Sequence, residues 1–497
     1  MDVFHNLLYG FSIGFQPANL AACFIGVLMG TLVGVLPGIG PIGAMSILLP
    51  TTFRMSPVSA IIMLAGIYYG AMYGGSTTSI LVNIPGEAAS VVTCLDGYQM
   101  ARQGRAGPAL GIAAFGSFIA GTLGVVGLML FAAPLAEFAL RFGPPEYFGV
   151  ILLGLTLVTY LSQGSIIKCL IMGVFGLILS CVGLDRISAS PRMTFNIIQL
   201  LDGIDMVPLV MGLFGVAEVL TNIEESIPQE ILKTKIKNLF PGLSDWIEAK
   251  GAIIRGSILG FFMGILPGGG GVISSFLSYS LEKRVSKNPE KFGKGAIEGV
   301  AGPESANNSA TSGAFVPFFT LGIPPNVAMA LLLGALVIHG IRPGALLLQD
   351  HPDIFWGVVC SMYIGNVMLL ILNLPLIPMW VQVLKVPYRI LFPLILLFCL
   401  IGAFSLRNST FDVIIMIIFG IVGYLFKKFD YEGAPLTLAF VLGPLLELNL
   451  KQSLLLSKGS FFIFFTRPIS AVLIIVAIIL FITSFVSYFV KLMKRHH

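Results

Sequence analysis

Charged residues are scarce in this chain. They form 11% of its 497 residues, whereas soluble domains contain about 25%, and 56% of the chain is hydrophobic. The net charge of +5 comes from Lys and Arg in short loops between apolar segments, so it does not indicate a nucleic-acid partner. This composition excludes an ordinary soluble domain and predicts a protein that lies in a lipid bilayer.

The residues that usually build catalytic and metal sites are few and scattered. The five histidines form no Asp-His-Ser arrangement, and the six cysteines form no CxxC pair and have no histidine at metal-ligand spacing. A GxxxxGK(S/T) sequence is absent, so ATP would have to be hydrolysed elsewhere. We therefore expect no enzyme activity, no cofactor and no metal beyond a coupling Na+. No basic segment precedes the first apolar run, so we expect no removable signal peptide.

Long uncharged runs, in contrast, are frequent. Several approach the ~20 residues that a membrane-spanning helix needs, and the ~9–11-residue alternating strands of an outer-membrane barrel are absent. We therefore predict an all-α, polytopic integral membrane protein with roughly 12 hydrophobic segments. These segments lie near residues 20–36, 57–72, 109–133, 147–161, 165–184, 205–222, 252–281, 312–338, 355–384, 389–404, 410–426 and 472–486.

Two copies of an apolar, glycine-broken cassette lie 230 residues apart. Residues 34–41 read GVLPGIGP, and residues 264–271 read GILPGGGG. Such residues interrupt a helix, and open backbone at membrane depth is tolerated only where protein buries it or where it lines a cavity. Each cassette is therefore predicted to form a Pro-Gly-broken helix or a re-entrant hairpin. Broken segments at corresponding positions of two halves are typical of the binding site of a secondary transporter.

Two other features recur in the same order. An Ile-Pro step recurs 239 residues later, at 84–85 and 323–324, and a glycine-containing stretch recurs 236 residues later, at 104–110 and 340–346. Stretches rich in hydroxyl and amide groups follow the two cassettes, at 74–87 and 303–312. Lysines are concentrated on both flanks of the second cassette, which predicts that those flanks face the cytoplasm and that the two cassettes open to opposite sides. We interpret the chain as two pseudo-symmetric, inverted repeats. The predicted parts are a first repeat at 1–222, a charged cytoplasmic linker at 223–250, a second repeat at 251–445, and a C-terminal loop and last helix at 446–497.

The residue types in these stretches indicate an anion site and a cation site. Glycine lets backbone N–H groups face a solute, and a helix that starts after a cassette has a partial positive charge suited to an anion. Hydroxyl and amide groups can bind carboxylate oxygens or Na+ without burying a fixed charge, and acidic groups at such depth usually face a cavity, a cation or a proton path. The predicted substrate-binding residues are Gly38, Ile39, Gly40, Gly268, Gly269, Gly270, Gly271, Ser76, Thr77, Thr78, Asn83, Asn307, Asn308 and Ser309. The predicted coupling-ion residues are Glu87, Glu304, Thr311, Ser312 and Asn326.

Purely structural roles for these residues remain open. The Pro-Gly breaks could simply kink helices for packing, and the hydroxyl and amide groups could simply join helices by hydrogen bonds worth ~0.6 kcal/mol on average in membranes. Glu87 and Glu304 could lie at the water interface. Duplication of the cassette with reversed charge flanks favours the binding interpretation.

The motifs resemble the TctA family, the large membrane subunit of the tripartite tricarboxylate transporters, from about residue 18 to 470. The chain departs from the family at Pro325 and Asn326, where Gly-Ser is common, and at Gln99 and Ala345, where proline is common. The first departure lies in a predicted site loop and bears on substrate identity. The matching stretches are 34–41, 48–50, 73–87, 95–98, 100–107, 266–271, 292–295, 298–308, 321–324, 441–444 and 466–470.

The resemblance implies a multi-pass subunit of the bacterial inner (cytoplasmic) membrane. It implies two partners, a small TctB-like membrane subunit and a periplasmic, TctC-like solute-binding protein. It also implies secondary transport, in which a Na+ or H+ gradient drives uptake of an organic di- or tricarboxylate. The alternatives are a channel or a structural membrane scaffold, and less favourably an intramembrane enzyme; saturable, gradient-dependent uptake separates a carrier from all of them.

Overall fold

The computed structural model describes residues 3–36, 40–161, 165–185, 187–224, 239–384 and 388–493. Most of this described chain is helical, and its one pair of strands is short and antiparallel, Gly183–Leu184 against Pro191–Arg192. The helices are α1 (Val3–Gly14), α2 (Pro17–Val35), α3 (Gly40–Leu48), α4 (Pro57–Val82), α5 (Val91–Arg102), α6 (Ala106–Ala139), α7 (Pro144–Leu161), α8 (Ile166–Ser180), α9 (Met206–Val210), α10 (Ala217–Glu224), α11 (Leu243–Ile265), α12 (Gly270–Val285), α13 (Glu298–Leu321), α14 (Val327–Ile338), α15 (Leu347–Asp350), α16 (Pro352–Asn373), α17 (Ile377–Val383), α18 (Tyr388–Arg407), α19 (Thr410–Lys428), α20 (Gly433–Leu456), α21 (Ile463–Thr466) and α22 (Pro468–Met493). A π-helical stretch, Met211–Val216, joins α9 to α10.

Several helices have the length and composition of membrane spans. Eight helices of the described chain are long and apolar enough to cross a membrane, and three shorter apolar ones have 10–17 residues. Because a bilayer offers no hydrogen-bond partners, a spanning segment must satisfy its backbone groups internally, as a helix does. The prediction of a multi-pass helical membrane protein is confirmed. The count of roughly a dozen segments and the inverted order of two repeats stay predictions.

Helices α4 and α13 form the centre of the molecule. Every residue from Val58 to Val82 in α4, and from Gly299 to Thr320 in α13, is buried. Both helices are rich in small residues, which let neighbouring helices approach closely. In contrast, α6, α19 and α22 expose large apolar side chains such as Leu130, Ile418 and Ile482, as helices facing lipid do.

Two parallel helix pairs pack through stripes of glycine spaced every four residues. In each pair, a methyl group on a glycine of the stripe would come within 2.1–2.6 Å of a backbone oxygen of the partner helix, so only glycine fits there. The contacts of the second pair repeat those of the first, 230 residues later on the glycine helix and 239 later on its partner. The contacts are Gly26 to Met63, Gly30 to Ile67 and Gly34 to Ala71 between α2 and α4, and Gly256 to Gly302, Gly260 to Ala306 and Gly264 to Ala310 between α11 and α13.

The second cassette turns the chain back on itself. Helix α11 ends at Ile265 and α12 begins at Gly270, and farther along both helices Arg255 Nε donates to Glu282 Oε1 at 2.9 Å. The two helices therefore form an antiparallel hairpin with the cassette at its tip. Gly268 adopts φ +79° there, a left-handed conformation that glycine tolerates.

The first cassette is described only in part. Helix α2 ends at Val35 and α3 begins at Gly40, while residues 37–39, with the predicted donors Gly38 and Ile39, lie outside the described residues. Of the predicted linker, residues 225–238 also lie outside them, and α11 already begins at Leu243.

Candidate functional site

A cavity of about 650 Å³ lies where the two cassettes meet. This volume is in the range of about 300–1,000 Å³ that small-molecule sites occupy. Four segments contribute much of its wall, namely residues 40–42, 85–89, 268–273 and 325–328. The structure thus brings together these predicted site residues: Gly40, Gly268, Gly269, Gly270, Gly271, Glu87 and Asn326.

Each of the four segments leads into a helix. Helices α3, α12 and α14 start at Gly40, Gly270 and Val327, and a short 3-10 turn, Ala88–Ser90, leads into α5. The first amide groups of a helix have no carbonyl partner one turn earlier, and that end carries about half a positive charge. Four such ends around one cavity favour an anion there.

The cavity contains no fixed positive charge within the described part of the chain. Its acidic side chains are Glu87, Glu218 and Glu432, and no described Lys, Arg or His lines it. Glu218 is paired with Lys427. The described residues include no group of three or more His, Cys, Asp and Glu side chains suited to a metal ion. An anion in this cavity would therefore be held by backbone amides rather than by cationic side chains.

Two of the predicted backbone donors are used within the protein. Gly268 N–H donates to Pro325 O at 2.9 Å, and Gly269 N–H donates to Leu266 O at 2.9 Å. These bonds shape the cassette loop, which leaves Gly270 and Gly271, the first two residues of α12, as the predicted glycines at a helix start. Of the four glycines predicted to donate from the second cassette, Gly270 and Gly271 therefore remain as candidates.

Glu87 and Asn326 occupy equivalent places, 239 residues apart. Each caps the helical turn that it precedes: Ala89 N–H donates to Glu87 Oε2 at 2.7 Å, and Met329 N–H donates to Asn326 Oδ1 at 3.0 Å. Asn326 Nδ2 also donates to Tyr68 Oη at 3.0 Å. Glu87 is only 7% exposed, and its Oε1 is buried without a hydrogen-bond partner in the part of the chain that the structure describes.

A separate buried network surrounds Glu304. The carboxylate is fully buried and accepts from Ser76 Oγ at 2.6 Å, from Thr93 Oγ1, and from Asn307 Nδ2 at 3.3 Å. These partners are neutral, and they belong to α4, α5 and α13. Asn308 extends the network, because its Nδ2 donates to Asn307 Oδ1 at 2.6 Å. This network is a second candidate site, distinct from the 650 Å³ cavity.

Two small spaces of about 10 Å³ each adjoin this network, close to the size that one water molecule needs. The first is lined by polar groups that include Asn373 Oδ1, which is buried without a partner. Its other polar residues are Ser76, Thr77, Ser117 and Tyr73. Asn308, Thr311 and Ser312 line the second space.

Four predicted substrate residues line none of these spaces: Asn307, which belongs to the Glu304 network, and Thr78, Ser309 and Asn83. Thr78 Oγ1 donates to Val35 O at 2.5 Å, which ties α4 to α2. Ser309 Oγ is buried without a partner. Asn83 is exposed and ends α4 in the left-handed conformation, with φ +61°, so its position is explained by the helix end.

Sequence reasoning missed Tyr68 and Met72, which line the cavity, and Thr93, which bonds to Glu304. Tyr68 and Met72 lie 239 residues before Asn307 and Thr311, so a residue-by-residue alignment of the two halves would have found them. Thr93 lies outside the recurring stretches and carries no such signal.

The fold and the cavity define a multi-pass helical membrane protein with an open cavity of small-molecule size. The chain belongs to the Tripartite tricarboxylate transporter TctA family, which it matches over residues 20–438. The predicted family is confirmed, and membership makes the chain a subunit of a transporter.

Two relatives from Agrobacterium vitis resemble the chain. One is an uncharacterized 52.8 kDa protein in the TAR-I ttuC' 3' region, 51% identical over 96% of this chain and 95% of its own length. The other is an uncharacterized protein in the TAR-II ttuC' 3' region, 53% identical over 43% of this chain and 89% of its own length. No solved structure matches the chain.

Proposed function

We propose that this chain is the large transmembrane subunit of a binding-protein-dependent secondary transporter that imports an organic di- or tricarboxylate. The observation that carries the proposal is the meeting of four helix starts, two after the cassettes and two in the segments 85–89 and 325–328, at one cavity of about 650 Å³. A chamber of this kind suits a small anion held between two halves.

The way the anion is held follows from the composition of the cavity wall. Backbone amides at the start of α12 would bind carboxylate oxygens, and glycines at 270 and 271 leave room for the solute to approach. The site contains no fixed positive charge in its described wall. Binding by amides and helix ends, without a cationic side chain, lets the site release the anion again once the surroundings change.

Two inverted repeats would give the alternating access that import requires. The glycine contacts of α2 with α4 recur between α11 and α13 at constant offsets, and Glu87 and Asn326 share one of those offsets. We therefore interpret the two cassette hairpins as related elements that move relative to a scaffold, with the solute between them.

The driving ion would be Na+ or H+. Glu304 is a fully buried carboxyl whose partners are neutral hydroxyl and amide groups. These oxygen-rich neighbours suit a proton on the carboxyl or a Na+ ion beside it. A cation loaded there offsets the negative charge of the substrate, so loading both costs less free energy than loading either alone.

The partners follow from the family. A tripartite system requires a small TctB-like membrane subunit and a periplasmic TctC-like solute-binding protein, and these place the complex in a bacterial inner membrane. The exposed apolar faces of α6, α19 and α22 offer surface for lipid and for the small subunit.

Uptake measurements test the proposal. Vesicles that contain the whole complex should accumulate a labelled di- or tricarboxylate saturably, and only with an imposed Na+ or H+ gradient. Gly271→Leu should reduce uptake at least tenfold, because a Cβ at Gly271 already lies 3.3–3.6 Å from Ala89, Asn307 and Met72 and a longer side chain extends into the cavity.

The matched control is Gly173→Leu, at a helical glycine with open space around it, which should keep wild-type uptake. Equal uptake by Gly271→Leu and wild type, at equal expression, would contradict the site. Non-saturable flux that needs no gradient would instead indicate a channel.

A further inference from the structure

We propose that Glu87 is a proton-binding residue of the substrate cavity, and that each substrate molecule binds together with one proton taken up by this side chain. The inference rests on the proposed function, because it concerns the same cavity. It goes beyond that function by assigning the linked proton to one atom, Glu87 Oε1.

The first argument is the position of the carboxyl group. Glu87 lines the cavity and is only 7% exposed. Its two oxygens differ: Oε2 accepts the Ala89 N–H at 2.7 Å, whereas Oε1 is buried and has no hydrogen-bond partner among the described residues. A buried polar atom without a partner is rare in folded proteins. Here the missing partner is supplied by a ligand or a proton.

The second argument is charge. Helix starts draw an anion into this cavity, yet an ionised Glu87 would place a negative charge beside the substrate carboxylate. Two carboxylates that share a site cannot both stay ionised at low cost, so one of them binds a proton. A protonated Glu87 can then donate its O–H to a substrate carboxylate oxygen, while Oε2 continues to accept from Ala89.

The proton balance is simple. At a pH where Glu87 is ionised in the free cavity, substrate binding moves one proton from water to Glu87, and release of the substrate returns it. No other bond forms or breaks. In linkage terms, the bound anion raises the proton affinity of Glu87, so substrate affinity is highest at low pH and falls as pH rises.

The third argument is the asymmetry between the halves. The equivalent position carries Asn326, which makes the same cap but cannot ionise, and whose Nδ2 donates to Tyr68. The cavity therefore has one ionisable cap and one neutral cap. This gives one linked proton per substrate.

Other titratable groups also surround Glu87. Tyr68 on α4, Cys94 on α5 and Glu304 on α13 belong to the helices packed around its turn, and the first turns of α12 carry no charged residue. Glu218 and Glu432 line the same cavity. The experiment must therefore separate Glu87 from these carboxyls.

The test measures binding of malate, which is fully ionised above about pH 6.5, to the complete transporter in lipid nanodiscs by titration calorimetry. In the wild type, the dissociation constant should rise by up to tenfold per pH unit over part of the range from about pH 6.5 to 9. Titration in two buffers with different ionisation enthalpies should show uptake of about one proton per malate.

Three variants make the result specific. Glu87→Gln, which can still cap Ala89, should bind malate with a pH-independent affinity and without proton uptake. Glu224 is an exposed carboxylate paired with Lys428, so Glu224→Gln should keep the wild-type pH dependence of malate affinity. Asn326→Asp adds a second carboxyl to the cavity. In this variant the malate dissociation constant should change more steeply with pH, toward the dependence expected for two protons per malate.

Each other outcome overturns the inference. A Glu87→Gln variant that keeps the wild-type slope, or that loses malate binding at every pH, removes Glu87 as the proton site. A wild-type affinity that follows Na+ concentration instead of pH assigns a metal cation to the carboxylate. If the wild type binds neither malate nor citrate at any pH, the proposed carboxylate site fails, and this inference fails with it.

Discussion

Gly264 of α11 lies directly against Ala310 of α13: a Cβ on Gly264 would be 2.1 Å from the Ala310 carbonyl oxygen. The contact involves the first residue of the second cassette, and its counterpart, Gly34 against Ala71, involves the first residue of the first cassette. Close backbone packing therefore fixes the place where each helix stops, and hence the position of the glycines that follow.

Gly264→Ala should destabilise the protein by about 1–3 kcal/mol, because the added methyl overlaps a backbone oxygen that cannot turn aside. Thermal unfolding in detergent should show a lower melting temperature. The control, Gly173→Ala, lies in a helix with open space around it and should raise stability by up to about 1 kcal/mol through helix propensity. A melting temperature of Gly264→Ala at or above the wild-type value would contradict this packing.

Asp96→Ala should weaken the link between α5 and the loop before α13. Asp96 Oδ1 accepts the N–H groups of Gly293, Gly295 and Ala296 at 2.7–2.9 Å, and Ala296 is buried. The loss should be about 1–3 kcal/mol, because that buried amide is left without an acceptor.

Asp96→Asn keeps a neutral acceptor oxygen and should lose less stability than Asp96→Ala. Melting temperatures of the two variants and the wild type would establish the order. An alanine variant as stable as the asparagine variant would show that these amides find another acceptor.

Glu304→Gln should separate ion coupling from folding. Glutamine can still accept from Ser76 or Thr93, so the variant should stay folded, but it can neither hold a proton nor neutralise a Na+ ion. We expect gradient-driven accumulation of substrate to fall well below the wild-type level, because only the proton on Glu87 remains coupled, while exchange of internal for external substrate continues.

The control for Glu304→Gln is Thr320→Val, in the same helix, where the lost hydroxyl bonds only to the Val316 carbonyl. It should keep gradient-driven uptake. Full accumulation by a folded Glu304→Gln transporter would remove Glu304 as the coupling group.

The pH dependence of stability should include a contribution from Asp185, in the loop that follows α8. Lys451, together with the N–H groups of Ser188 and Ile187, holds the pKa of the Asp185 carboxyl well below its usual range. A lowered pKa stabilises the folded state at pH values above the unfolded pKa of about 4, and this stabilisation is lost as pH falls toward the folded value.

Asp185→Asn should therefore lower the melting temperature at pH 7. The difference from the wild type should shrink as pH falls below about 4. A difference that stays constant from pH 7 to 3 would show that the charge of Asp185 contributes nothing.

The sequence by itself determined the class of the protein, its family and the existence of the two cassettes. Those properties are local: a bilayer requires long apolar segments, and Pro-Gly runs such as residues 264–271 break a helix wherever they occur. The stretches that follow the two cassettes also placed Glu87 and Asn326 among the predicted site residues, and both line the cavity.

Only the tertiary structure decided which polar groups meet. The structure separates the Glu304 network from the 650 Å³ cavity. It also shows that Gly268 N–H donates to Pro325 O, so this amide does not face a solute. Both results depend on how helices from different parts of the chain face one another, and a rotation of one helix by a single residue would turn Ser76 away from Glu304. Sequence spacing records the order of such groups along each helix, whereas close packing between helices sets the angle at which they face their partners.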